Sequence, residues 1–153
     1  MAITKRAPTS IVVFGDCSHP VNDLAAGEDI TPGHLVEMYD DGGVNKWRKH
    51  ATSTEQVTLA VALEQGEMNK GIDYVYAAGD LCKVWFLKPG DVWYGIIPSG
   101  QTVANSAFLQ SNGGGTAKAA TATTAAANVA RFQSLDNLGA VNALTRCRIQ
   151  VIA

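Results

Sequence analysis

The chain has 153 residues, of which 46% are hydrophobic and 17% are charged, and its formal net charge is −2. This length and hydrophobic content suffice for one compact domain with a buried core. The low charge argues against a nucleic-acid-binding protein, which needs a concentrated cationic surface, and no apolar run approaches the roughly 18 residues of a membrane helix.

The first predicted element is a flexible N-terminal arm, residues 1–10, which contains Lys5 and Arg6 and shows no hydrophobic periodicity. Because the arm lacks the apolar stretch of a signal peptide, we expect a soluble protein made in the cytoplasm. Residues 11–153 are predicted to form a single β-rich domain, and its first strand is the apolar run from Ile11 to Phe14.

The next predicted feature is a hairpin with a turn at Asp40-Asp41-Gly42-Gly43. Its strands would run from His34 to Tyr39 and from Val44 to Ala51. The returning strand holds a basic cluster around an aromatic residue, Lys46-Trp47-Arg48-Lys49-His50. Trp47 and Arg48 are therefore candidates for contact with an acidic surface or a nucleic acid backbone. A solvated strand face with Trp47 in the core is the simpler interpretation and is favoured.

The segment from Gln56 to Gln65 permits two interpretations. Strict alternation predicts a strand with one apolar face, formed by Val57, Leu59, Val61 and Leu63. A helix is the alternative, because Ser53 and Gln56 resemble a capping box and alanine favours helix. The alternation favours the strand.

The segment from Leu81 to Leu87 is apolar on both faces, with Trp85 and Leu87 on one face and Cys82, Val84 and Phe86 on the other. In a small domain such a strand must be covered twice, once by its own core and once by a second surface, which can be another subunit. Trp85 and Leu87 are therefore predicted interface residues, and Trp85 is the best candidate for an anchor.

Glycine turns punctuate the chain from Ala78 to Gly115 at nearly regular spacing. Four turn sequences bound apolar runs of about eight to twelve residues: Ala78-Gly79-Asp80, Lys88-Pro89-Gly90-Asp91, Ser99-Gly100-Gln101 and Asn112-Gly113-Gly114-Gly115. This spacing is typical of a small all-β barrel or sandwich. The sequence therefore predicts an all-β fold with short turns and little helix.

The last part of the chain is predicted to contain a loop and a closing pair of strands. The alanine- and threonine-rich segment 116–128 is predicted to be an exposed, partly extended loop, with a helix as the alternative. The strands would run from Val129 to Leu135 and from Thr145 to Ile152. In the last strand Cys147, Ile149 and Val151 would point inward, and Arg146, Arg148 and Gln150 outward.

The sequence offers little catalytic or metal-binding chemistry. Ile11 to His19 resembles the Gly-Asp-Ser block of SGNH-type esterases, but Cys17 stands where that family has its nucleophilic serine. The family's base is a histidine near the C-terminus, and no histidine follows His50 here. The three cysteines show no paired or Cys/His spacing. We therefore predict that the protein is not an enzyme and has no catalytic residue, cofactor or metal site.

Short motifs follow one another over roughly residues 28 to 152 in a recognisable order. They are Ile30–Glu37, Val61–Glu64, Ala77–Val84, Pro89–Trp93, Ser99–Ala104, Leu109–Thr116, Leu135–Asn137 and Arg148–Ile152. In their order and spacing these motifs resemble the capsid decoration (cement) proteins of tailed bacteriophages, particularly a DUF2190-like group.

The resemblance implies a β-rich, β-tulip-like protein that binds the outside of an expanded HK97-fold capsid and clamps neighbouring capsomers against the pressure of packaged DNA. The implied partners are the major capsid protein and further copies of the chain, as a homotrimer or a dimer, without direct contact to nucleic acid or membrane. The implied location is the outer capsid surface of the virion, after synthesis in the host cytoplasm. The arm with Lys5 and Arg6 would become ordered on docking. The alternatives are another virion module, at head completion or the tail, and a small ligand-binding barrel.

Overall fold

The computed structural model describes residues 8–18, 20–52, 59–121 and 131–152. The strands in these ranges are β1 (Val12–Phe14), β2 (Val36–Asp40), β3 (Asn45–Lys49), β4 (Ala60–Ala62), β5 (Val84–Phe86), β6 (Val92–Ile97), β7 (Thr102–Val103), β8 (Phe108–Gly113), β9 (Thr116–Ala119), β10 (Phe132–Ser134), β11 (Gly139–Ala140) and β12 (Thr145–Val151). The helical content of the same ranges is one 3₁₀ turn, Gly66–Met68, and none of it could cross a membrane. The predicted all-β fold class is confirmed.

Six strands form the main sheet, in the order β1-β6-β12-β10-β8-β9, with antiparallel neighbours throughout. The predicted closing pair of strands is confirmed, because Phe132 of β10 lies opposite Val151 of β12. Along its other edge β12 pairs with β6, from Thr145 opposite Ile97 to Gln150 opposite Val92. The remaining described strands form three two-stranded sheets, β2-β3, β4-β5 and β7-β11, and the sheets do not close into a barrel.

Two clusters of buried side chains meet at the small β4-β5 sheet. On β4, Val61 belongs to the larger cluster, whereas Ala60 and Ala62 belong to the smaller one. On β5, Trp85 belongs to the larger cluster and Val84 to the smaller. Because successive side chains of a strand point to opposite faces, this sheet is a partition with apolar packing on both sides.

At Cys82 and Val84 the second face of the segment from Leu81 to Leu87 is covered by the chain itself, whereas Phe86 on that face is 45% exposed. Val21 forms an isolated bridge with Val84, and Trp47 and Tyr76 belong to the same buried cluster. This corrects the suggestion that another subunit supplies the second cover at these two residues. Val21 and Trp47 come from distant parts of the sequence, so the segment alone could not reveal them.

The glycine turns form where the sequence predicts them. Gly79, Gly90 and Gly100 have φ values of +95°, +97° and +87°, a backbone region that residues with a Cβ rarely adopt. The predicted hairpin joins β2 to β3, and its turn is closed by the backbone N–H of Gly43, which donates to Oδ1 of Asp40 at 2.6 Å.

Two segment predictions change in the structure. The start of the predicted loop 116–128 is strand β9, which pairs with β8 across the glycine turn, and residues 122–130 lie outside the described ranges. Of the segment from Gln56 to Gln65, residues 56–58 are outside the described ranges and Ala60–Ala62 is strand β4. Strand is therefore the correct assignment for Ala60–Ala62.

Candidate interaction surface

The structure buries three of the six predicted interface residues. Trp85 is 3% exposed and Leu87 5% exposed, both within the larger cluster, and Trp47 is 1% exposed within the smaller cluster. This corrects the prediction that Trp85 and Leu87 lie on an uncovered face. It agrees with the simpler interpretation of Trp47 as a core residue. Lys5 and Arg6 lie outside the described residues.

Arg48 is the predicted interface residue that lies at the surface. Its Nε donates to Oε1 of Glu37 at 2.8 Å, and its guanidinium lies 5.0 Å from the centroid of the Tyr39 ring. Its side chain is 43% exposed. Arg48 is therefore accessible but already ordered by two neighbours on the hairpin, and its interface role stays a prediction.

A buried polar junction attaches the β2-β3 hairpin to the turn between β8 and β9. Nδ1 of His50 lies 2.7 Å from Oγ of Ser111, and Nε2 of His50 lies 3.8 Å from Oε2 of Glu37. The backbone N–H of Gly115 donates to the carbonyl of His50, and that of Leu35 to the carbonyl of Gly115. His50 thus faces the protein interior. Strand alternation would instead place His50 on the same solvated face as Arg48. The hairpin is held at its base.

Arg146 joins the end of β12 to two loops. Its two terminal nitrogens donate to the carbonyls of Pro32 and Ile72, each at 2.8 Å, and one of them also lies 3.5 Å from Oδ1 of Asp73. Although the alternation correctly assigns Arg146 to the outward face of β12, its head group is used to bind backbone. No sequence signal predicted these loop contacts.

His34 lies beside Arg146 in a mostly apolar depression of about 260 Å³, which is also lined by Ile96 and Leu144. Burial, together with the nearby positive charges of Lys49 and Arg146, lowers the pKa of His34 from 6.5 to about 4. The neutral ring accepts a hydrogen bond from the backbone N–H of Thr31 at 3.1 Å through Nδ1. His34 is therefore held as a neutral acceptor near neutral pH, a structural role that sequence reasoning missed.

The thiols of Cys17 and Cys82 are held in their protonated form. Burial raises the pKa of Cys82 to about 12, and burial is also the main cause of the raised pKa of Cys17. A thiol with a raised pKa is a poor nucleophile and a poor metal ligand, because both roles require the thiolate. Within the described residues no group of three His, Cys, Asp or Glu side chains could hold a metal ion.

The outward side of the main sheet is accessible only in part, because Gln110, Val92 and Ile96 on it are buried. Cys147, Ile149 and Val151 face the larger cluster, so the alternate residues of β12 face away from it. Their cross-strand partners share that direction, and together they form what we call the outer sheet face: Val92, Tyr94, Ile96, Phe108, Gln110, Lys118, Gln133, Arg146, Arg148 and Gln150.

One row of the outer sheet face runs across four strands. Val92, Gln150, Gln133 and Phe108 lie opposite one another in succession, and Phe14 of the edge strand β1 pairs with Val92. Phe14 is 70% exposed and Phe108 is 51% exposed. The row therefore has an exposed aromatic ring at each end, with the buried Val92 and two amide side chains between them.

Comparison with known proteins gives a similarity of fold. No protein-family model matches the chain, and no curated protein matches it. Among solved structures the chain is similar to the N base of head fiber gp8.5 in bacteriophage phi29, with a TM-score of 0.54 and 10% sequence identity, over 84% of this chain and 89% of that chain. At this identity the similarity shows a shared fold, and the resemblance to capsid decoration proteins stays a prediction.

Proposed function

We propose that this chain is a structural protein of a bacteriophage virion that binds the outside of an expanded HK97-fold capsid and clamps neighbouring capsomers. The observation that carries the proposal is the fold shared with the base of a phage head fiber over most of both chains. The order of the sequence motifs supports the same proposal independently, because it depends on the amino-acid sequence and not on the fold.

The proposed mechanism is passive binding without catalysis. A rigid β domain that contacts two or more capsid subunits gains affinity from multivalency, because the second contact forms at high effective concentration once the first has formed. Selective binding to the expanded lattice stabilises that lattice by mass action against internal pressure. Buried thiols and polar groups that are engaged within the fold fit such a role.

The proposed partners are the major capsid protein and further copies of this chain, as a homotrimer or a dimer. Neither nucleic acid nor membrane is a proposed partner. The proposed location is the outer capsid surface, after synthesis in the host cytoplasm. The accessible candidate residues for these contacts are Arg48 on the hairpin and the exposed rings Phe14 and Phe108 on the main sheet.

The direct test is cosedimentation of the purified protein with expanded heads and with unexpanded procapsids of the phage that encodes it. We expect saturable binding to expanded heads, at a copy number close to that of the major capsid protein, and little binding to procapsids. A soluble β protein of similar size and charge serves as the control for trapping in the pellet.

Other outcomes would contradict the proposal. Equal binding to both particles would remove selectivity for the expanded lattice. A low copy number in purified virions would indicate a head-completion or tail-associated module. Saturable binding of a small molecule in a deep aromatic pocket would favour the ligand-binding alternative.

A further inference from the structure

The glycine turn between β8 and β9 contains the only Asn-Gly pair in the sequence, Asn112-Gly113. Asparagine followed by glycine is the pair most prone to deamidation, because glycine has no Cβ to hinder the attack of its backbone nitrogen on the preceding side chain. The pair also stands where the hairpin β2-β3 is attached to the main sheet. Its chemistry therefore bears on a contact that the fold depends on.

Deamidation of this pair needs only the chain and water. The backbone nitrogen of Gly113 bonds to Cγ of Asn112 and loses its proton, and the side-chain amide leaves as ammonia, which gives a cyclic succinimide. Water then adds to either ring carbonyl and opens the ring. One product is aspartate, and the other is isoaspartate, whose backbone runs through Cγ and is longer by a carbon atom.

The attacking nitrogen is engaged in the folded chain. The backbone N–H of Gly113 donates to Oγ of Ser111 at 3.2 Å. Ser111 is 1% exposed, and the same Oγ lies 2.7 Å from Nδ1 of the buried His50. The serine oxygen is therefore fixed from two sides, and the proton that Gly113 has to lose points at it instead of at solvent.

The attacked amide is engaged as well. Nδ2 of Asn112 donates to Oγ1 of Thr116 at 3.3 Å, and this hydroxyl donates to the carbonyl of Gly113 at 3.2 Å. Thr116 lies opposite Gly113 in the pairing of β8 with β9. The amide is thus directed across the turn to the partner strand, whereas ring closure requires Cγ to turn towards its own backbone.

We propose that Asn112 is a deamidation site whose reaction the folded turn slows, through Ser111 on the attacking nitrogen and Thr116 on the amide. Each hydrogen bond that has to break before ring closure slows the reaction roughly fivefold. The inference goes beyond the proposed function, because it concerns the covalent lifetime of the chain itself.

Isoaspartate at this position would disturb the attachment of the hairpin. The backbone N–H of Gly115 donates to the carbonyl of His50 at 3.2 Å, and its carbonyl accepts from the N–H of Leu35 at 2.8 Å. Gly115 has no spare room, since a Cβ there would lie 3.0 Å from Cβ of His34. A turn that is longer by a carbon atom would displace Gly115 from these contacts. Slow deamidation therefore preserves the hairpin base.

The first test measures the deamidation rate of the purified full chain in mildly alkaline buffer, with and without urea. Peptide mass spectrometry detects the change of mass when the amide of Asn112 becomes a carboxyl group. We expect the folded chain to react roughly 10- to 30-fold more slowly than the unfolded chain. Equal rates in the two buffers would overturn the inference.

The second test compares two buried serines that make the same local bond. Oγ of Ser134 accepts from the backbone N–H of Asp136 at 3.2 Å, as Oγ of Ser111 accepts from that of Gly113. Ser134 is fully buried. We expect Ser111→Ala to accelerate deamidation of folded Asn112 roughly fivefold, and Ser134→Ala to leave the rate unchanged. Equal acceleration by both variants would show general loosening and overturn the inference.

A slower reaction in Ser111→Ala would also overturn it, because the serine and His50 would then assist proton removal. Thr116→Val removes the acceptor of the Asn112 amide at nearly constant shape and should accelerate the reaction roughly fivefold. If Ser111→Ala does not fold, this variant decides: a faster rate supports the inference and an unchanged rate overturns it. Because no capsid takes part, failure here leaves the proposed function untouched.

Discussion

The environment of Trp85 explains why its indole belongs to the core. The ring N–H donates to the backbone carbonyl of Asp16 at 3.1 Å, which satisfies its one polar atom. Gly15 lies against the ring so closely that a Cβ there would approach Cζ2 of Trp85 to 2.9 Å. The neighbouring Phe86 is 45% exposed, so adjacent aromatic residues of one strand have different roles.

We expect Trp85→Ala to lower the free energy of unfolding by about 3–5 kcal/mol, because it leaves a large cavity and removes the N–H that pairs with Asp16. Phe86→Ala is the matched control and should cost about 1 kcal/mol. Urea denaturation followed by the backbone circular dichroism signal, instead of tryptophan fluorescence, measures both free energies of unfolding. Equal losses for the two variants would show that the buried Trp85 contributes no more to the free energy of unfolding than the half-exposed Phe86.

The lowered pKa of His34 predicts acid sensitivity. Because its pKa is about 4 in the folded chain and 6.5 ordinarily, the unfolded chain binds more protons between these pH values. Stability therefore falls as the pH decreases from 6.5 to about 4. The contribution of His34 is at most about 3 kcal/mol, and less because the ring is partly exposed.

Denaturation of the wild type and of His34→Asn across this pH range tests the prediction. The amide oxygen of asparagine can still accept from the backbone N–H of Thr31, so the variant keeps that bond and loses the titration. We expect a shallower decline for His34→Asn, since the carboxylates that remain are common to both proteins. Parallel curves would contradict a lowered pKa at His34.

At the scale of elements, the turn between β8 and β9 is where three parts of the chain meet. Gly114 and Gly115 both have positive φ, +59° and +75°. A Cβ on Gly115 would lie 3.0 Å from both Cβ of His34 and the carbonyl oxygen of Leu35, whereas one on Gly114 would meet open space. Only Gly115 is therefore required for close packing against the start of β2.

The pair gives a matched test of packing against strain. We expect Gly114→Ala to cost about 1–2 kcal/mol, the strain of a positive φ alone. Gly115→Ala should cost a further 1–3 kcal/mol or so from the steric clash. Chemical denaturation of both variants measures the difference. Equal costs would mean that β2 and the turn do not touch as described.

At the scale of the whole molecule, the described domain is anchored close to its first strand. The backbone N–H of Ile11 donates to both carboxylate oxygens of Glu64, at 3.2 and 3.1 Å, and its side chain is fully buried. The contacts that define the start of the domain therefore lie after the predicted arm. We therefore predict that removal of the arm leaves these contacts in place.

Deletion of residues 2–9 should accordingly leave the unfolding transition nearly unchanged but lower occupancy on expanded capsids, because the arm with Lys5 and Arg6 is proposed to order on docking. Quantitative gel analysis of cosedimented particles measures occupancy. Replacing Lys5 and Arg6 by glutamine in the full chain distinguishes loss of charge from loss of length. Unchanged occupancy of the truncated protein would remove the arm from the mechanism.

Local sequence patterns predicted the strands in which alternation shows which residues are buried. The last strand alternates strictly, and its inward residues Cys147, Ile149 and Val151 are all buried. Strand β9 was missed because alanine and threonine carry little periodic signal, and its pairing with β8 comes from the glycine turn before it. The short strands β7 and β11 were missed too, since two residues show no period.

The sequence by itself determined the all-β class, the turn positions and the presence of strands with two apolar faces, because these depend on alternation and on glycine conformation over a few residues. The tertiary structure alone decided what covers each face. Val84 shares a buried cluster with Trp47, which is far away in the chain, and on the opposite face Trp85, predicted as a surface anchor, belongs to the larger buried cluster. Alternation shows that a strand has two sides, but only long-range packing determines which neighbour removes each side from water.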